Sequence, residues 1–288
     1  MNHTAKVIDE HLFKHLTQMM PKGILYDACK HALTGGKRIR SSIVLGMAGY
    51  ASATLPLANY SLEPEEPALL AAISVEYLHN ASLIIDDLPC MDNDIERRGV
   101  PTVHAKYGER VAQLASTSLM AAAIETLANA ADALDKSNAL FVIKFVAGRM
   151  GSEGASGGEI KEFQKDAQIE EVIHMKTSTF FEISMILGWL FGPTPRDVKR
   201  CEDISKAAKY LGIAYQIADD MEDIEQDTLH EASRNVNYVI KNGFDVAVSD
   251  FEDALIRMKN VLPEEAWCEP LQRVVDLLTL KSRSWSPP

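Results

Sequence analysis

Residues 67–89 read PALLAAISVEYLHNASLIIDDLP. A proline at the head costs a helix nothing, because the first N–H has no intrahelical partner, and a proline just past the end stops one. The stretch therefore predicts a helix from Pro67 to Asp87, closed by Pro89 and preceded by a loop, Leu55 to Pro67, that holds three prolines. Outward from it the same punctuation repeats. Apolar residues at helical spacing predict further helices over 5–20, 24–33, 39–53, 107–132, 137–150, 168–191, 196–224, 233–242, 245–260 and 268–281, with a break at Gly35-Gly36. No stretch alternates as a strand. Five glycines within 148–158 predict a helix break or a close helix contact, since they fit neither GxGxxG nor a P-loop. The fold class is all-α, a single domain over residues 1–288.

With 288 residues the chain is long enough to bury a core without staples, and 47% apolar with 24% charged residues is ordinary for a globular protein. Against 41 Asp and Glu stand 29 Lys and Arg, so the net charge of −12 argues against a nucleic-acid partner. The four cysteines, Cys29, Cys90, Cys201 and Cys268, show no CxxC spacing, which fits a reducing compartment. An apolar stretch of nine residues, Ile183 to Phe191, is about half a membrane span, and the start has no signal-peptide core. The expectation is a cytoplasmic protein with no transmembrane segment.

Three clusters carry chemistry. Asp86, Asp87 and Asp92 bracket Pro89 at a helix end, where anions oppose the helix dipole. Carboxylate oxygens are hard ligands suited to Mg²⁺ shared with substrate phosphates; the plain alternative is a solvated acidic helix end. Gln216, Asp219, Asp220 and Asp223 fall at i, i+3, i+4 and i+7, one helical stripe on which like charges stand unrelieved. The plain alternative there is the wet face of an amphipathic helix. Lys37, Arg38 and Arg40, then Arg97 and Arg98, concentrate positive charge in an acidic chain. That pairing implies a ligand carrying both phosphate and metal, or else salt bridges between the clusters.

Asp-Asp-x4-Asp followed by Arg-Arg-Gly, the Gly-Gly-Lys-Arg-x-Arg start, Pro101-Thr102-x-His104, Lys176-Thr177 and Gln-x-x-Asp-Asp-x-x-Asp come in an order that resembles the trans-polyprenyl diphosphate synthase family over residues 30–240. The resemblance implies a helical bundle around a deep cavity, dimeric, with both Asp motifs at its mouth. Asp86, Asp87, Asp92, Asp219, Asp220 and Asp223 would bind Mg²⁺, three ions per active site, on the allylic diphosphate. Arg97, Lys176, Thr177 and Gln216 would surround that diphosphate, and Lys37, Arg40, His79 and Arg98 would hold isopentenyl diphosphate. Asp86, Asp87, Asp92, Arg97, Lys176, Asp219 and Asp220 are then the catalytic set. The metals and cations neutralise the diphosphate as it leaves, the isopentenyl double bond attacks the allylic cation, and no dedicated protein base is required.

In this family, bulky residues four and five positions before the first Asp pair floor the cavity. Here they are the small Ser82 and Ala81, with Tyr77 and Leu78 about a turn deeper. With the insertion Pro89-Cys90, this favours geranylgeranyl diphosphate as product over farnesyl diphosphate. The chain departs from the family pattern at Ser116-Thr117 in place of Gly-Asp, Glu159 in place of Gln, Ser41 in place of Pro and Ile85 in place of His. It also lacks a Lys in the segment after the second Asp motif, where His230 and Arg234 are the only candidates.

Three other readings stand beside it. The lost Lys suits a weakly active or regulatory synthase subunit. Glu76-x-x-His79 and Glu171-x-x-His174 have the spacing of a di-iron bundle. A class I terpene cyclase would place Asp223 and Asp227 in its second metal motif.

Overall fold

A computed structural model describes residues 3–50, 66–164, 168–192, 197–228 and 237–286. The chain divides into two compact units, Met1–Ile143 with Phe191–Pro193, and Lys144–Leu190 with Thr194–Pro288.

The first unit holds α1 (His3–Met19), α2 (Ile24–Leu33), α3 (Ile39–Met47), α4 (Pro67–Asp86), a two-stranded ribbon of β1 (Glu96–Arg97) and β2 (Val100–Pro101), α5 (Val103–Tyr107), α6 (Glu109–Ala131) and the first half of α7 (Lys136–Met150). Helix α4 is buried over most of its circumference, from Ala68 through Ile84, and packs chiefly on α6. Alanines on both helices let the backbones approach. Two buried hydroxyls then bond across the seam: Ser74 Oγ donates to the Ala123 carbonyl and Ser116 Oγ to the Ala81 carbonyl, both at 2.8 Å. Each buried Leu or Ile of α4 contributes about 1.5–3 kcal/mol of transfer free energy.

The second unit holds α8 (Ala155–Glu162), α9 (Ile169–Ile173), a π-helical turn (His174–Ser178), α10 (Thr179–Leu190), α11 (Cys201–Glu222), α12 (Ile224–Thr228), α13 (Tyr238–Asn242), α14 (Phe244–Val261) and α15 (Glu269–Ser282). Helix α10 is buried on every side, and α11 packs on α10 and α14.

All-α architecture is as expected, with four corrections. The third helix stops at Met47 instead of reaching Ala53, because Gly49 turns left-handed (φ 88°) and the Tyr50 amide returns to the Leu45 carbonyl at 2.9 Å. A ribbon exists where no strand was expected: its register pairs Glu96 with Pro101 and Arg97 with Val100, leaving Arg98-Gly99 as a two-residue turn with φ of 56° and 77°. Two positive φ values are what a type I′ hairpin needs. The 168–191 segment is interrupted by the π turn; the glycine-rich stretch holds the expected break, between Met150 and Ala155, and α8 starts after it. Helices Pro67–Asp86 and Glu109–Ala131 are long and apolar enough to cross a membrane, contrary to the nine-residue limit read from the sequence. The most apolar window of the first is 78% buried inside the protein, as in a core helix, and that of the second 44%. Of the helix expected over 233–242, residues 233–236 lie outside the described residues.

Candidate active site

In the first unit the end of α4 folds the first acidic motif back on itself. Asp87 caps the helix, and the Asp92 amide donates to the Asp86 carbonyl at 2.9 Å, so the Pro89-Cys90 loop brings Asp92 beside Asp86. Asp87 is buried and accepts from Arg97 Nε at 2.6 Å. Burial raises its pKa, and Arg97 pulls in the other direction. The hairpin that presents Arg97 and Arg98 is pinned by the Pro-Thr-x-His motif: Thr102 Oγ1 and His104 Nε2 each bond the Asp94 carbonyl at 2.8 Å. Two turns earlier on α4, Arg40 Nη1 donates to His79 Nε2 at 3.1 Å and Arg98 Nη1 to Asn80 Oδ1 at 3.3 Å. Burial and the positive charge of Arg40, Arg98, Arg97 and Arg38 push the His79 pKa well down, so its ring is a neutral acceptor. A pocket lined by His31, Thr34, Asn80, Asp87, Arg97 and Arg98 opens here.

Arg40, His79 and Arg98 are thus together, as expected, and Lys37 is exposed on the preceding turn. Arg38 is not a ligand group. It is buried, with Nε on Asp9 Oδ1 at 2.6 Å, Nη1 on Glu76 Oε2 at 2.9 Å and Nη2 on the Leu33 carbonyl. The same contacts occupy Glu76, which weakens the di-iron spacing as a reading.

In the second unit, side chains form a chain of hydrogen bonds. Thr177 Oγ1 donates to Gln216 Oε1 at 2.6 Å, and Gln216 Nε2 donates to Asp220 Oδ1 at 2.8 Å. The other Asp220 oxygen accepts the Tyr238 amide at 2.6 Å. Asp220 is buried, and burial lifts its pKa to about 7 even though those two donors oppose the shift; Asp227 and Asp219 add to it. Burial, Asp227 and Glu222 likewise raise Asp223. The acidic stripe is therefore not a plain wet face: one carboxylate is interior and short of positive charge. Lys176 and Thr177 stand on the π turn, a local geometry frequent at functional sites. Glycines grip that turn. A Cβ on Gly158 would stand 2.8 Å from Met175 Cβ, and one on Gly212 2.1 Å from Ser178 Oγ. This is the close helix contact read from the glycine-rich stretch.

Sequence reasoning missed four contributors in this unit. Asn237 Nδ2 donates to the Asp220 carbonyl at 2.9 Å and to Asp227 Oδ2 at 2.8 Å. Tyr238 supplies its amide to Asp220. Glu162 meets Lys176. Lys281, on the last helix, lies 3.6 Å from Asp219 Oδ1 and 2.7 Å from Glu222 Oε2. Only proximity reveals Lys281, which is far from the motif in sequence. His230 and Arg234 lie outside the described residues. The departures have local partners: Ser41 Oγ donates to Glu76 Oε1 at 2.7 Å, Ser116 bonds Ala81, and Glu159 meets Lys176 at 2.9 Å.

The donor set fits magnesium. Among the described residues no three His, Cys, Asp or Glu side chains form a ready metal cage. Mg²⁺ is ordinarily held by one or two carboxylates plus waters and substrate phosphates, and the raised Asp220 is a carboxylate that a cation would ionise.

Residues 22–233 match the family model described as Polyprenyl synthetase. The chain is 35% identical over 209 residues to the chloroplastic geranylgeranyl pyrophosphate synthase of Capsicum annuum, covering 70% of this chain and 53% of that one. It is 36% identical over 221 residues to the geranylgeranyl diphosphate synthase of Cyanophora paradoxa, covering 73% and 69%. The chain thus spans about half the length of the Capsicum relative. A solved structure of an FPP/GFPP synthase from Zymomonas mobilis superposes with a TM-score of 0.76 at 25% identity, over 95% of this chain and 96% of that one.

Proposed function

The chain belongs to the polyprenyl synthetase family, and from that premise we propose that it condenses isopentenyl diphosphate with an allylic diphosphate to give a short-chain product, geranylgeranyl diphosphate. The observation that carries the reading is the Thr177–Gln216–Asp220 chain, which orients a buried, cation-seeking carboxylate beside a hydroxyl and an amide. Bound Mg²⁺ would supply charge neutralisation of the departing diphosphate. Asp86, Asp87 and Asp92, with Asp219, Asp220 and Asp223, are the residues that would hold it, three ions in all. By the family resemblance, Arg97 and Lys176 would each supply positive charge for the allylic diphosphate. Arg40 and Arg98, with neutral His79 accepting from Arg40, form a donor set for isopentenyl diphosphate, joined by Lys37. A neutral His79 adds no imidazolium charge beside the two arginines.

Geranylgeranyl diphosphate as product rests on the small Ala81 and Ser82, and on the names of the two relatives at 35% and 36% identity. The functional form we propose is a homodimer, as the family resemblance implies, with Leu114 and Ile124, exposed on α6 by 59% and 58%, as candidate contacts. Ile124→Glu, read by sedimentation, should give a monomer. A cytoplasmic location fits four free cysteines.

The test is a product assay with Mg²⁺, isopentenyl diphosphate and dimethylallyl, geranyl or farnesyl diphosphate as primer. A C20 product from at least one primer establishes the proposal. A C15 product alone keeps the synthase and overturns the floor. No elongation from any primer by folded protein favours the regulatory subunit, and a cyclic hydrocarbon favours the cyclase.

A further inference from the structure

Lys176 Nζ sits between two carboxylates of α8, 2.9 Å from Glu159 Oε2 and in closer contact with Glu162 Oε2. Glu159 and Glu162 are three residues apart on one helix, so their side chains project to the same side. All three groups are largely shielded, with side-chain exposures of 22%, 18% and 21% for Lys176, Glu159 and Glu162. The backbone under Lys176 is fixed, because Gly158 and Gly212 pack against the π turn with no room for a Cβ. Only the four-carbon stem of the lysine is left to move its charge.

We propose that Glu159 and Glu162 are positioning residues that form a carboxylate latch on Lys176, and that a diphosphate must draw the ammonium out of the latch to bind. This rests on the synthase reading, in which Lys176 serves the allylic diphosphate. Two carboxylates and one ammonium carry a net charge of −1. A bare diphosphate approaching Lys176 therefore meets repulsion as well as a donor, whereas a metal-charged diphosphate neutralises the carboxylates' field. The latch makes the site selective for the metal-loaded form. Glu159 is the adjustable half: exchanging its carboxylate for an amide of the same size leaves a neutral one-to-one pair between Lys176 and Glu162. Helix α8 keeps a separate anchor, since Lys161 pairs with Glu171 at 2.8 Å.

The experiment is calorimetric binding of inorganic diphosphate, without and with Mg²⁺, to the full chain and to Glu159→Gln, together with steady-state elongation. The latch predicts that Glu159→Gln binds metal-free diphosphate about fivefold more tightly. The gain should shrink when Mg²⁺ is present, and the KM for the allylic diphosphate should fall while kcat does not rise. Glu162→Gln should act in the same direction, which covers failure of the first variant to fold. In a Lys176→Met background the Glu159→Gln gain should shrink to the part that comes from relieved carboxylate repulsion, because the ammonium being released is gone. Wild type that binds diphosphate while neither Gln variant binds it more tightly overturns the latch and leaves the synthase reading intact. Wild type that binds diphosphate in neither condition overturns both. A latch effect in a protein that elongates no primer supports the latch and removes the synthase reading.

Discussion

Arg38 Nη1 donates to Glu76 Oε2 at 2.9 Å inside the first unit, and the pair claims the middle charge of the Lys-Arg-x-Arg run for structure. The Arg38 side chain is fully buried and Ser41 holds the second Glu76 oxygen. Removing one member of a buried pair leaves the other charge uncompensated, which costs about 3–5 kcal/mol. Asp9 remains on Arg38, so Glu76→Ala should fall at the low end, about 3 kcal/mol, in urea denaturation. A loss below about 1 kcal/mol would show that the guanidinium is solvated on its own.

His79 predicts a pH dependence. Its pKa is depressed first by burial and then by Arg40, Arg98, Arg97 and Arg38. A group whose folded pKa lies below its unfolded value binds more protons when unfolded. Its contribution to stability is present above the ordinary value of 6.5 and is lost as pH falls from there toward the folded pKa. His79→Gln keeps an acceptor for Arg40 and cannot titrate. Between pH 7.5 and 5.5 wild type should lose more stability than His79→Gln, measured as urea midpoints at each pH; parallel losses would mean that His79 is protonated in the fold.

Asp220→Asn separates stability from metal-dependent function. With the Asp220 pKa lifted to about 7, chiefly by burial, its contribution to stability is complete below the ordinary 3.8 and lost as pH rises through 7. In metal-free protein at pH 8 the amide should be at least as stable as wild type, since the charge it removes is an interior one. Elongation should nevertheless fall about 10²–10³-fold, the scale of losing one preorganised electrostatic group, and chelation of wild type should abolish it. Equal turnover by the variant would remove Asp220 from the metal-binding set.

The helices were legible because proline and glycine mark their ends in the sequence; the first acidic motif was legible because its anions stand at a helix end against the dipole, and the second because Asp219 and Asp223 repel at i and i+4 with no cation between them. The hairpin was not, since two residues per strand give no period to read; its signal is Arg98-Gly99, whose paired positive φ values make a two-residue turn. Nor was the division of labour in the basic run. Lys37, Arg38 and Arg40 look alike in sequence, and only the left-handed φ of 56° at Arg38, which turns its side chain into the interior, tells them apart. Lys281 and Asn237 reach the second acidic motif through tertiary packing, for which local spacing carries no information.

Product length provides the last prediction. Ala81 is fully buried on α4, and its carbonyl is fixed by Ser116, so the backbone at this level does not yield. Ser82, half-buried one residue on, bonds its own helix through Oγ to the His79 carbonyl at 2.9 Å. On the synthase reading, an aromatic ring at either position would take space that a growing chain uses. Ala81→Tyr should shift the product from C20 to C15, at a stability cost of about 1–3 kcal/mol from overpacking. Ser82→Phe meets a less crowded site and should shift the product with a smaller penalty. Resolving products by chain length, with farnesyl diphosphate as well as geranyl diphosphate as primer, separates a blocked floor from slow turnover. A blocked floor stops extension of the farnesyl primer while geranyl is still extended, whereas slow turnover lowers both. An unchanged product distribution in both variants, each shown to be folded, would place the floor of the cavity elsewhere.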